Sequence, residues 1–183
     1  MDDRFAQLLS EIDNGRGSIP LIDLAQRYAY VVPDDEALSA LSELGAIVEI
    51  GAGTGYWAAR LRARGVDVLA FDQAPPDGER TNRYHAPTST WSNVLPGDQT
   101  ALAAHSDRTL FLCWPPLISS LGDCLTCYTG NTVALIGDGG HRTARISGLN
   151  DAFTAVAVLS VRALDPSPGA PPTLSIWQRR VDM

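Results

Sequence analysis

Through the first 45 residues apolar positions recur at helical spacing; from residue 46 onward short apolar runs alternate with amphipathic stretches. Phe5, Leu8, Leu9 and Ile12 fall on one helical face, and Gly15-Arg16-Gly17 ends that segment. Ser18 and Pro20 open a second helix that turns Leu21, Leu24, Ala25 and Tyr28 inward. A third follows Pro33, with Asp34 or Asp35 as cap, the stripe Ala37, Leu38, Leu41, Leu44, and Gly45 as its stop.

Beyond that point the pattern predicts strand and helix in turn. Ala46 to Ile50 reads as a buried parallel strand, Tyr56 to Arg64 as a helix capped by Gly65, and Val66 to Phe71 as a second strand ending in Asp72. Gln73 to Thr90 is polar and proline-containing, a loop with little regular structure. A short strand is expected over Trp91 to Leu95, a helix over Gln99 to His105, and a strand over Thr109 to Trp114, ended by Pro115-Pro116. Leu117, Ile118, Leu121, Cys124, Leu125 and Tyr128 share a helical face, and Thr132 to Ile136 is the next strand. The last two apolar runs, Ala155 to Leu164 and Thr173 to Arg179, are joined by a segment too short for a crossover helix, so they should pair antiparallel. The sum is an open α/β sheet of parallel strands with an antiparallel terminal hairpin. Residues 1–45 would form a helical cap on a domain spanning 46–183, the two making one compact unit.

Composition narrows the function. With 183 residues, 45% of them hydrophobic, the chain can bury a sizeable core. No apolar run approaches the roughly 20 residues a membrane-spanning helix needs. The acidic, amphipathic beginning of the sequence and its three cysteines suit a cytoplasmic address without membrane partners. Of the 35 charged side chains 21 are acidic, and the net charge of −7 weighs against nucleic acid as a partner. All 14 basic residues are arginine. The absence of lysine excludes Schiff-base chemistry and the lysine-dependent phosphate loop.

The strongest motif is Glu49-Ile50-Gly51-Ala52-Gly53-Thr54-Gly55, followed by Asp72 at the end of the next strand. Glycines there let the chain turn sharply and let a ligand come close, and an acid at a strand tip can accept two hydrogen bonds from a ribose diol. A dinucleotide site wants glycine or alanine where Tyr56 stands, whereas the acid-x-Gly-x-Gly-x-Gly pattern is complete. On these residues and the terminal hairpin, the sequence resembles the class I S-adenosylmethionine-dependent methyltransferases. That resemblance implies a Rossmann-like, doubly wound, seven-stranded sheet, with S-adenosylmethionine as cofactor and S-adenosylhomocysteine as product. Gly51, Ala52, Gly53 and Gly55 would line the methionine and ribose side, and Glu49 would hold the loop or reach the amino group through water. Asp72, with Gln73 beside it, would take the ribose hydroxyls, and Asp98 would contact the adenine amino group. Tyr30 lies where relatives place a flap over the cofactor.

Leu112-Cys113-Trp114-Pro115-Pro116 falls on the strand whose end meets the transferred methyl in that family. It is similar to the Asp/Asn-Pro-Pro-aromatic motif of amino-methylating enzymes, but a thiol is a poor acceptor for an amine and Leu117 replaces the aromatic. The resemblance implies Cys113 beside the cofactor and Trp114 as a stacking wall; the alternative is a strand terminator with a core tryptophan. His141, after Gly137-Asp138-Gly139-Gly140, is a candidate general base oriented by Asp138, or else a solvated loop histidine. Tyr84 and His85 in the long loop are lid residues or merely exposed. Cys124 and Cys127 have metal or redox spacing, but Cys124 falls on the apolar helical stripe and no second pair completes a zinc set, so a core cysteine is expected and no metal.

The reading is a methyltransferase acting on an N or O atom of a small molecule or short peptide. Its short variable regions leave room for a homodimer. A non-catalytic S-adenosylmethionine-binding partner protein is the alternative, and a nicotinamide-dependent reductase is disfavoured by Tyr56 and the hairpin.

Overall fold

The structure is a computed structural model describing residues 4–14, 20–85, 87–115, 121–138, 149–164 and 171–181. Three short helices come first: α1 (Arg4–Asp13), α2 (Leu21–Arg27) and α3 (Asp35–Ser42). The cap of α3 is Asp34, whose side chain accepts from the Ala37 amide at 2.8 Å, satisfying one of the helix's open donors. Gly45 follows with φ +79°, the left-handed stop expected of a glycine there. The breaks at Gly15–Ser18 lie outside the described residues.

Seven strands follow: β1 (Ile47–Ile50), β2 (Val68–Asp72), β3 (Leu95–Pro96), β4 (Thr109–Cys113), β5 (Thr132–Asp138), β6 (Phe153–Ser160) and β7 (Pro172–Arg179). Helix α4 (Tyr56–Ala63) links β1 to β2, a 3-10 helix (Gln99–Ala104) precedes β4, and α5 (Leu121–Cys127) precedes β5. The sheet order is β3-β2-β1-β4-β5-β7-β6. Strands β1 to β5 pair in parallel, with Ile47 opposite both Val68 and Thr109. β7 inserts antiparallel between β5 and β6, as the short final connection demands. The terminal hairpin expected from the sequence is there.

Strand alternation sends residues to two cores. Ile47, Phe111, Ala134 and Ile136 face α1 to α4, while Val48, Leu110, Leu112, Val133 and Leu135 face the 3-10 helix and α5. The helix stripe assigned to α5 is buried at Leu121, Cys124 and Tyr128; Leu117 and Ile118 lie outside the described residues.

Two strand expectations need correction. The strand placed over Trp91 to Leu95 is only Leu95–Pro96, because Trp91 leaves the sheet to join an aromatic stack. Tyr28 lies between Phe5 (4.5 Å between centroids) and Trp91 (4.8 Å), with Tyr56 edge-on to all three. That stack binds the amino-terminal helices to α4 and to the long loop. The strand placed over Thr109 to Trp114 ends at Cys113, because the chain turns left-handed at Trp114.

Candidate functional site

The glycine turn joins β1 to α4 at the carboxyl edge of the sheet, where open α/β sheets hold their ligands. Gly51, Gly53 and Gly55 have φ of +75°, +54° and +70°, a run that other residues would adopt only at a cost. The turn is tied to β2: the Gly51 and Ala52 amides donate to the Phe71 carbonyl at 2.9 and 3.0 Å. Each glycine then serves a different neighbour. A Cβ on Gly51 would meet no described residue within 4 Å, so among the described residues this position is open. A Cβ on Gly55 would lie 2.6 Å from Val94, so the glycine there admits the loop side chain against the start of α4. A Cβ on Gly53 would lie 2.3 Å from His85 Nε2.

Asp72 closes β2 beside this turn. Its carboxylate accepts from the Gly53 amide at 2.8 Å, from the Ala74 amide at 2.9 Å and, at 3.5 Å, from the Asn82 side chain. A carboxylate has about four lone-pair sites, so the group retains capacity for a ligand. Gln73 next to it is exposed. Asp98 follows β3 and caps the 3-10 helix, accepting from the Thr100 amide at 2.9 Å and hydroxyl at 2.6 Å, which holds its carboxyl below the ordinary range. The Gly97 amide donates to the Asp72 carbonyl at 2.9 Å and so fixes the two acids on one edge.

Glu49 shares β1's face with Ile47, beneath α4. It is 2% exposed, and its Oε2 has no hydrogen-bond partner among the described residues. Burial pushes its carboxyl up to about 8, opposed by Arg62 on α4 and reinforced by Asp72. The Cys113 thiol, on the same face of β4, is pushed well up by burial and then by Glu49, which keeps it neutral. The indole N–H of Trp57, on this face too, likewise has no hydrogen-bond partner among the described residues.

At the end of β4, Trp114 has φ +54°, the one non-glycine residue with positive φ among those described. Its amide donates to the Ile136 carbonyl of β5 at 2.9 Å, so the sheet itself holds the left-handed turn. Such a conformation costs about 1–2 kcal/mol and tends to persist where a site needs it. Asp138 ends β5 opposite Pro172; its side chain and the whole of His141 lie outside what is described. The structure therefore brings Glu49, Gly51, Ala52, Gly53, Asp72, Asp98, Cys113 and Trp114 to one edge of the sheet.

The long loop supplies what the sequence left undecided. Asn82 accepts from the amides of Tyr84 (2.8 Å) and His85 (2.9 Å) and donates to the Ala74 carbonyl at 2.7 Å. The Tyr30 hydroxyl donates to the Tyr84 carbonyl at 2.6 Å, and its ring meets the His85 imidazole edge-on. Tyr30 thus fastens the loop, while Tyr28 packs in the core as its helical position indicated. No signal in the sequence marks Asn82, whose importance comes from the loop's tertiary path. Among the described residues no cluster of His, Cys, Asp and Glu has metal-binding geometry.

No family model matches this chain, and no curated protein does. Solved structures do. The 1,6-didemethyltoxoflavin-N1-methyltransferase of Burkholderia thailandensis, with 1,6-didemethyltoxoflavin and S-adenosylhomocysteine bound, is 17% identical with a TM-score of 0.56, the match covering 99% of this chain and 91% of that one. TrmK from M. capricolum, in complex with S-adenosylhomocysteine, is 10% identical with a TM-score of 0.53, covering 78% and 67%. The magnesium protoporphyrin IX methyltransferase of Synechocystis PCC 6803, with S-adenosylmethionine bound, is 11% identical with a TM-score of 0.50, covering 80% and 77%. Sheet order, terminal hairpin and these likenesses agree: the chain has the fold of the class I S-adenosylmethionine-dependent methyltransferases.

Proposed function

We propose that this protein binds S-adenosylmethionine at the carboxyl edge of β1, β2 and β3 and transfers its methyl group to an N or O atom of a small molecule or short peptide. The observation that carries the reading is the left-handed glycine turn, open at Gly51, with Asp72 and Asp98 fixed beside it. In this reading Gly51, Ala52 and Gly53 line the cofactor, Asp72 and its neighbour Gln73 attend the ribose, Asp98 the adenine, and Tyr30 fastens the covering loop.

The bound sulfonium supplies an activated methyl. What remains for the chain is to align the acceptor and keep water out. Trp114 is assigned the wall of the acceptor site, and its strained backbone supports a working site over a protein that merely binds the cofactor. The neutral Cys113 thiol shapes that wall without attacking anything. His141, oriented by Asp138, is the base assigned to acceptors that must lose a proton. The net charge of −7 supports a small acceptor over nucleic acid. No described helix is long and apolar enough to cross a membrane.

The test is a screen of small amines, phenols, carboxylates and short peptides with methyl-labelled S-adenosylmethionine. Transfer to one class by the wild type, lost in Asp72→Ala, supports the reading. Binding of the cofactor with no acceptor methylated across those classes would favour the non-catalytic partner instead.

A further inference from the structure

The imidazole of His85 is held in one orientation. Its Nδ1 lies 3.0 Å from the Gln26 carbonyl, which can only accept, so Nδ1 carries the proton and Nε2 presents its lone pair. That Nε2 stands over Gly53, at 2.3 Å from the point where a Cβ would be. The backbone of His85 is fixed by Asn82 at 2.9 Å, and Tyr30 closes the far side of the ring. The amide of the same glycine donates to Asp72 Oδ2 at 2.8 Å. Two acceptors therefore meet at Gly53, next to Gly51, where no described residue approaches.

We propose that His85 is a cofactor-contacting residue, its Nε2 accepting a hydrogen bond from a hydroxyl or ammonium group of an adenosyl-amino acid bound at the glycine turn. This rests on the methyltransferase reading and adds a specificity rule to it. A neutral acceptor beside a carboxylate favours a ligand arm that carries donors. It disfavours a diphosphate, which brings only negative acceptors and needs the N–H groups a dinucleotide turn would offer. Burial keeps the imidazole neutral, lowering its affinity for a second proton against the opposing pull of Gln26 and Asp72. The glycine at position 53 is then explained by His85, which no side chain at that position would let approach.

The experiment uses S-adenosylhomocysteine and the full chain. Calorimetric affinities would be compared for wild type, His85→Ala and His85→Gln, with the melting temperature of each ligand-free protein as a check on folding. Loss of one hydrogen bond predicts about a tenfold weaker binding in H85A, largely restored in H85Q, which keeps an acceptor. Nitrogen NMR of the wild-type histidine should show an Nδ1–H tautomer whose Nε2 resonance moves upfield on saturation. That measurement decides the matter even if H85A does not fold. Equal or tighter binding by a folded H85A, or an unmoved Nε2, overturns the assignment while leaving the methyltransferase reading intact. Failure of the wild type to bind S-adenosylhomocysteine overturns both.

Discussion

The Asp72 carboxylate accepts a hydrogen bond from the Gly53 amide at 2.8 Å, so the acid at the end of β2 braces the very turn whose ligand it is placed to hold. Asp72→Ala should therefore do two things at once. A hydrogen bond to a charged group contributes roughly 1.5–3 kcal/mol, so the ligand-free protein should lose about that much stability in urea unfolding. Affinity for S-adenosylhomocysteine should fall by more than about tenfold. Full stability with lost affinity would mean that the brace is energetically idle.

Gly51→Ala and Gly53→Ala separate backbone strain from crowding. Both positions have positive φ, which alone costs about 1–2 kcal/mol for alanine. Only Gly53 has a neighbour in the way, and that neighbour is His85. G53A should be the more destabilising change, and the excess over G51A should disappear in a His85→Ala background. A double-mutant cycle by denaturant unfolding measures this coupling directly.

Glu49 makes stability depend on pH. Its carboxyl rises from an ordinary 4.5 to about 8 in the folded protein, chiefly through burial. A raised acid holds its proton better folded than unfolded. Its favourable contribution is thus complete below 4.5 and is lost as pH climbs through about 8. Each pH unit within that window costs at most ~1.4 kcal/mol. Glu49→Gln should match the wild type near the acid end of the window and exceed it near the alkaline end, as urea unfolding across the window would show. A wild type and E49Q with parallel pH profiles would place the charged carboxylate in a solvated or paired setting instead.

Tyr28 joins the amino-terminal helices to the rest of the chain through its stacking on Phe5 and Trp91. Removing a buried aromatic costs about 3–5 kcal/mol, so Tyr28→Ala should lower the melting temperature sharply. Trp91 fluorescence should change with it, since that indole also donates to the Arg27 carbonyl at 2.8 Å. An unchanged Trp91 spectrum in Y28A would show that the loop does not depend on the stack.

What could be read from the sequence is what short stretches of chain decide by themselves. The glycine turn and Asp72 are separated by one helix, and the final connection is too short for anything but a hairpin, so β1, β2, β6 and β7 follow from local pattern. β3 does not, because Trp91 is drawn into an aromatic stack and Val94 packs against Gly55 rather than following strand alternation. The left-handed turn at Trp114 is equally hidden, since it is imposed by β5 through the Ile136 carbonyl. His85 could be recognised as a loop residue, but its tautomer depends on a carbonyl 59 positions away in the sequence.

The most direct test of the account is calorimetric titration of the purified protein with S-adenosylmethionine, S-adenosylhomocysteine and NAD. Micromolar binding of either sulfur compound, abolished in Asp72→Ala, with no comparable binding of NAD, is the predicted result. Binding of NAD in preference to both, or of none of the three, would contradict it.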